Sequence, residues 1–240
     1  MALMLLSGSI QAATNIEIIT FGDSLTAGLY RNSSGVVTCP PGVSNQLNPY
    51  NGVCNGNGVI NRGGYQPTLV NLLLNDSFMP VVANYGYSGI RTDQMVSRIS
   101  SIIAARPNAQ YILIMGGAND AYAGVSSSTV IANLSIIINQ SKGQGLIPVI
   151  ATVTPNSTSA SRNQKTQQYS QAIRNYAAAN QILIVDSRVG LGANWNANNS
   201  GDGVHYNANG NVILGGLFYS ALTVKPAKKI ILAPIIDLLL

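Results

Sequence analysis

The chain of 240 residues holds one histidine, His205, in the string Asp202-Gly203-Val204-His205. A serine hydroxyl becomes an effective nucleophile when a base of near-neutral pKa takes its proton, and imidazole is the unperturbed side chain that fits. Far upstream, Phe21-Gly22-Asp23-Ser24-Leu25-Thr26-Ala27-Gly28 presents a serine directly after an apolar run. A carboxylate three positions before an imidazole can lie on the same side of one turn. Asp202 can therefore accept the Nδ1 proton, stabilise an imidazolium and leave Nε2 turned toward Ser24. Among eight acidic residues the serious rival is Asp186, which otherwise reads as a turn or capping residue before Ser187 and Arg188. Taken singly, Ser24 reads as a helix cap and His205 as a structural residue; together they describe a nucleophile and its base.

Hydrolysis of an acyl compound also needs hydrogen-bond donors aimed where the oxyanion develops. Gly89 offers a backbone N–H that can be approached closely because no Cβ intrudes, and Asn119 offers a carboxamide. Alone, each reads as turn chemistry. With the N–H of Ser24 they make three donors. The chain contains no Gly-x-Ser-x-Gly elbow, so the usual layout of an α/β-hydrolase is excluded.

The elements that must carry these residues follow from periodicity. Ile16 to Phe21, Val81 to Tyr85, Tyr111 to Met115, Leu146 to Val153 and Ile182 to Asp186 are apolar on consecutive positions, as strands buried on both faces should be. Between them Met95, Ile99, Ile102 and Ile103 recur at helical spacing, as do Val130, Leu134, Ile137 and Ile138, and Tyr169, Ile173, Tyr176 and Ala177. A helix opens near Pro67, and a last one carries Ile213, Leu217 and Ala221. Strand alternating with helix predicts one domain over 14–223, an α/β/α sandwich around a parallel five-stranded sheet. Ligands of such sheets bind beyond the carboxyl ends of the strands. Gly22-Asp23-Ser24, Tyr87-Ser88-Gly89 and Gly116 to Asp120 each follow a strand, and the Asp202 to His205 string precedes the last helix.

The blocks FGDSLTAG, ANYGYSGIRTDQM, MGGANDA and DGVHYNANG, in this order, resemble those of the SGNH hydrolases, the GDSL esterases and lipases. The resemblance runs from about Phe21 to Asn209. It implies a flavodoxin-like fold, no cofactor and no metal, and ester hydrolysis through an acyl-enzyme. Its catalytic residues fall on Ser24, Asp202 and His205, and its oxyanion donors on Ser24, Gly89 and Asn119. Tyr206 stands where proline is frequent in the family, which predicts an altered cleft wall, and the insertion from Asn32 to Arg62 is long and is expected to form part of the substrate rim.

Composition bounds the rest. With 46% hydrophobic and 9% charged residues the chain can bury one sizeable core. A net charge of +5 comes from scattered Lys and Arg, which does not suggest a nucleic-acid partner. Met1 to Ala13 resembles the later part of a secretory signal peptide without its positive start, which implies a secreted or periplasmic protein. Cys39 and Cys54 are the two cysteines, and in an exported protein they are expected to form a disulfide. No run of eighteen apolar residues exists to span a membrane. The apolar tail 224–240 lies beyond the resemblance, and packing on the domain and docking on a membrane both remain open for it. The expected activity is that of a monomeric carboxylic ester hydrolase on a small-molecule or glycan ester. Narrower alternatives are a carbohydrate O-acetyl esterase, for which Asn194 to Asn199 around Trp195 would supply sugar contacts, and a lysophospholipase or thioesterase; a non-catalytic binding module is the alternative outside enzymes.

Overall fold

Apolar residues on consecutive positions need burial on both faces of a sheet, and the first strand, β1 (Thr14–Gly22), receives it: Ile18, Ile19 and Phe21 are wholly buried. The computed structural model describes residues 13–31, 37–39 and 55–223. After β1 come a short helix α1 (Ser24–Ala27), the paired two-residue strands β2 (Tyr30–Arg31) and β3 (Val37–Thr38), β4 (Val59–Ile60), α2 (Gln66–Asn75) and β5 (Phe78–Gly86). The middle of the chain forms α3 (Thr92–Val96), α4 (Ile99–Ala104), β6 (Tyr111–Met115), α5 (Ala118–Ala123), α6 (Ser127–Gly143) and β7 (Ile147–Ala151). The last part forms α7 (Ala160–Asn180), β8 (Leu183–Val185), α8 (Ser187–Gly192), α9 (Trp195–Asn198) and α10 (Ala208–Thr223).

The main sheet has the order β4-β5-β1-β6-β7-β8. Its five strands from β5 to β8 are joined by four parallel pairings, in the flavodoxin-like sequence second, first, third, fourth, fifth. The expected five-strand sheet gains a sixth member, β4, antiparallel on the β5 edge. Two residues carry too little periodicity to announce such a strand. Helices α2 and α10 pack on one face, while α3, α4, α6 and α7 pack on the other. Leu69, Leu73, Leu214 and Phe218 fill the first interface, and Val130, Leu134, Ile137, Ile138 and Ile173 the second. The expected helix from Met95 to Ile103 is two, α3 and α4, interrupted at Ser97 and Arg98. Its apolar stripe crosses the break unchanged, since Met95, Ile99, Ile102 and Ile103 all remain buried.

Strands β1 and β5 end almost without space between them and the chain above. A Cβ on Gly86 would lie 2.0 Å from the backbone nitrogen of Ala27 in α1, and one on Gly22 would lie 2.4 Å from the carbonyl oxygen of Met115. The turn that carries Ser24 therefore rests directly on strand ends. Replacing Gly86 with alanine is expected to lower stability by roughly 1–3 kcal/mol or more, because rigid backbone must move. Urea unfolding of Gly86→Ala checks this, and a midpoint equal to that of the wild type would contradict the packing.

Candidate active site

Ser24 opens α1 immediately after β1, and the turn is held from both sides. The Asp23 carboxylate caps the helix by accepting from the N–H of Leu25 at 2.9 Å, and Gly28, at φ +85°, closes it by donating to the carbonyl of Ser24. One helical turn thus points the serine hydroxyl away from the core while leaving the residue 7% exposed. Ser24 Oγ lies 2.8 Å from His205 Nε2. A chain separation of 181 residues is bridged by one hydrogen bond.

The loop that brings His205 there is organised by Asp202. Its Oδ1 accepts from the backbone N–H groups of Val204 and His205, each at 2.9 Å, and its Oδ2 meets His205 Nδ1 at 2.6 Å. Burial acts to raise the Asp202 pKa, but the His205 ring and these backbone donors outweigh it and hold the carboxyl well below the usual carboxylate range. An ionised carboxylate only accepts, so Nδ1 carries the proton and Nε2 presents its lone pair to the hydroxyl of Ser24. Gly203, at φ +77°, lets the loop turn within three residues, and its carbonyl accepts from the N–H of Ser157 at 3.0 Å.

The two remaining candidate donors sit beyond neighbouring strand ends. Tyr87 donates its N–H to the carbonyl of Gly22, which keeps the loop after β5 beside the Ser24 turn; Gly89 follows at φ +78° and is exposed. Asn119 lies in the first turn of α5, beyond β6, and one of its carboxamide hydrogens goes to the carbonyl of Ile90 at 2.9 Å. The second carboxamide hydrogen is free of that bond. A deeper clamp joins the same two loops: buried Asp120 accepts from the N–H of Thr92 at 3.0 Å and from its hydroxyl at 2.6 Å. Asn133 donates to that hydroxyl in turn.

Sequence reasoning missed this clamp and the burial of Asp23, although an acid in a chain with eight of them was the available signal. The rival acid, Asp186, is engaged elsewhere. It caps α8 and grips Arg174 through two hydrogen bonds of 2.7 and 3.0 Å. Two expectations are corrected. Trp195, expected to stack on sugars, is 7% exposed and packs edge-on against Tyr206, because the apolar ring is worth more inside. Tyr206, expected in the cleft wall, is buried and faces inward, lining a cavity of about 10 Å³ with Asp23 and Thr154. The expected Cys39–Cys54 bond involves Cys54, which lies outside the described residues, as do the segments 1–12 and 224–240 and most of the 32–62 insertion. Among the described residues no group of three or more His, Cys, Asp or Glu could hold a metal ion, and no helix is long and apolar enough to cross a membrane.

Asp23 is the counterpart of Asp202. Burial is the main influence and pushes its pKa up to about 6, against the hydrogen bond from Leu25 and the attraction of His205. A carboxyl with a raised folded pKa binds more protons folded than unfolded, so its contribution falls as pH rises from about 4 through about 6. Asp23→Asn keeps an accepting oxygen for the cap and removes this slope. The variant is expected to gain stability relative to wild type between pH 4 and pH 7, by on the order of 3 kcal/mol at most. Unfolding curves across that range test it, and parallel curves for the two proteins would refute it.

The comparisons with known proteins agree with this geometry. Residues 20–213 match the model of the GDSL-like Lipase/Acylhydrolase family. No curated protein matches the chain. An acetylxylan esterase from Geobacillus stearothermophilus has a similar structure at 18% identity, with a TM-score of 0.66 over 90% of this chain and 98% of the other. A protein from Parabacteroides merdae, described as a GDSL-like lipase, is 19% identical with a TM-score of 0.66 over 91% of this chain and all of its own. Solved variants of the Geobacillus enzyme described as catalytic mutants replace a serine, an aspartate and a histidine three residues beyond that aspartate. With the family's blocks in order and a match over most of its length, this chain belongs to the GDSL-like lipase/acylhydrolase family of ester-hydrolysing serine enzymes.

Proposed function

We propose that the chain cleaves carboxylic esters of short to medium acyl length through an acyl-enzyme on Ser24. The observation that carries this reading is the line from Ser24 Oγ to His205 Nε2, 2.8 Å, and from His205 Nδ1 to Asp202, 2.6 Å. Ser24 Oγ attacks the acyl carbon while its proton passes to Nε2, and the oxyanion is held by the Ser24 and Gly89 N–H groups and the Asn119 carboxamide. Collapse of the tetrahedral adduct breaks the bond to the alcohol, which leaves with the proton from Nε2. Water then attacks the acyl carbon, giving its proton to His205, and the acid departs as Ser24 recovers its hydrogen. Asp202 stays ionised throughout and stabilises the imidazolium.

A carbohydrate O-acetyl esterase is the narrower reading, and its support is a fold shared with an acetylxylan esterase. The Trp195 ring lends it nothing, being buried. Export, with a Cys39–Cys54 disulfide formed in an oxidising compartment, belongs to the same proposal and rests on the composition of the first thirteen residues. Peptide mapping of the secreted protein without reductant reports the bond.

Ser24→Ala and His205→Ala are each expected to remove nearly all turnover of a p-nitrophenyl ester, and Asn119→Ala to lower kcat roughly a hundredfold or more. A fluorophosphonate should label wild type at Ser24. Wild-type-like turnover in either of the first two variants would end the proposal, and a protein inert to the label would be a binding module. Rates on acetyl and octanoyl esters and on acetylated xylan separate the acyl-length classes.

A further inference from the structure

One turn beyond Asn119 in α5, Tyr122 is 43% exposed, and the Arg162 guanidinium lies 4.0 Å above its ring. Both side chains are tied to one hydroxyl. Thr158 Oγ1 accepts from Tyr122 OH at 3.3 Å and from Arg162 Nη1 at 3.2 Å, while it donates to the buried Asn156 carboxamide oxygen at 2.5 Å. Its hydrogen and both lone pairs are used, so the guanidinium is pinned flat rather than left to swing. The cluster also has a definite address. Ser157, the residue before Thr158, is bonded to Gly203 in the loop between Asp202 and His205. Tyr122 and Asn119, three apart on one helix, lie on neighbouring parts of its surface. The stacked pair therefore stands on the wall between the oxyanion side and the loop of the base.

What this guanidinium can bind is indicated by the other arginines. Arg91 and Arg174 each hold an aspartate with the edge formed by Nε and Nη2. Arg162 spends only Nη1, and among the described residues its Nε and Nη2 have no protein partner. Seven of the eight acidic residues are described, and none is within ion-pair distance of Arg162 or of Lys165, which sits one turn further along α7 and donates to the carbonyl of Gly124. The first turn of α7 also holds no acid. A fixed, uncompensated fork of two parallel donors matches a carboxylate or a similar planar oxyanion.

We propose that Arg162, stacked on Tyr122 and pinned by Thr158, binds an anionic group carried by the substrate, so that acidic esters are preferred over neutral ones. The inference rests on the esterase reading above and adds the charge of its substrate. The anion can belong to the acyl part or to the alcohol part, and two pairs of probes distinguish them. Mono-p-nitrophenyl succinate against p-nitrophenyl pentanoate places the charge on the acyl side. 4-Acetoxybenzoate against its methyl ester places it on the alcohol side.

In one of these pairs the wild-type kcat/KM for the anionic ester should exceed that for the neutral one by roughly fivefold or more, an advantage typical of a charge-assisted contact. The ratio should shrink in about 0.5 M salt, where screening acts within a few ångströms. Arg162→Gln should abolish the ratio through KM, and Arg162→Lys should keep part of it; rates on the neutral ester in the same preparations report that each variant is folded. Equal wild-type rates within both pairs, or a ratio that survives Arg162→Gln, overturns the inference and leaves the esterase standing. Failure of wild type to turn over any of the four esters removes the esterase reading and this inference with it.

Discussion

The carboxylate of Asp202 is the point on which the site depends. One oxygen folds its own loop by taking two backbone N–H groups, and the other takes the imidazole, so loop shape and ring orientation are the same event. Removing an acceptor of this kind does not merely lose a hydrogen bond; it leaves part-buried donors unpaired and lets the ring rotate. The low pKa of Asp202 expresses the same fact, since the folded loop binds the ionised form and resists protonation. Stability held by this group is present above the ordinary carboxylate range and fades on acidification below it.

Around that carboxylate the fold supplies rigidity from backbone rather than from long side chains. The ends of β1, β5 and β6 are in register side by side, Gly22 opposite both Gly86 and Met115, so the loops leaving them begin from a common line. Glycine at two of these positions lets α1 sit on the sheet without a gap. Asp120 and Thr92 then tie the Asn119 helix to the Gly89 loop, a bond between the supports of two donors. Preorganised donors lower a barrier because they need not reorganise as charge develops. In the proposed reaction the clamp is one physical source of that preorganisation.

Four aspartates show how environment assigns work to one side chain. Asp202 is ionised by its donors, Asp186 lies below its ordinary value through Arg174 and its cap despite burial, and Asp23 and Asp120 are raised chiefly by burial. Spacing singled out Asp202 over Asp186, because a carboxylate three residues from an imidazole is constrained by the chain itself. Spacing was silent on Asp23 and Asp120. Their roles are set by what surrounds them, Leu25 and the core in one case and Thr92 from another loop in the other.

The parallel sheet and the pairing of Asp202 with His205 were legible in the sequence because each rests on local pattern: consecutive apolar positions, helical recurrence, and a short distance along the chain; the strand order and the meeting with Ser24 were implied by the family's blocks. Misreadings fell where local pattern is weak or ambiguous. Trp195 beside asparagines looks the same whether the ring faces solvent or core, the two-residue β4 has no period, and the stripe through α3 and α4 survives their break. Which of Ser24's many possible partners it would meet 181 residues away, how Asp120 would bind Thr92, and that Arg162 would lie on Tyr122 were decided by the tertiary structure. Those contacts join elements whose mutual placement is set by burial on the sheet, and burial is a property of the folded whole that no single stretch of chain encodes.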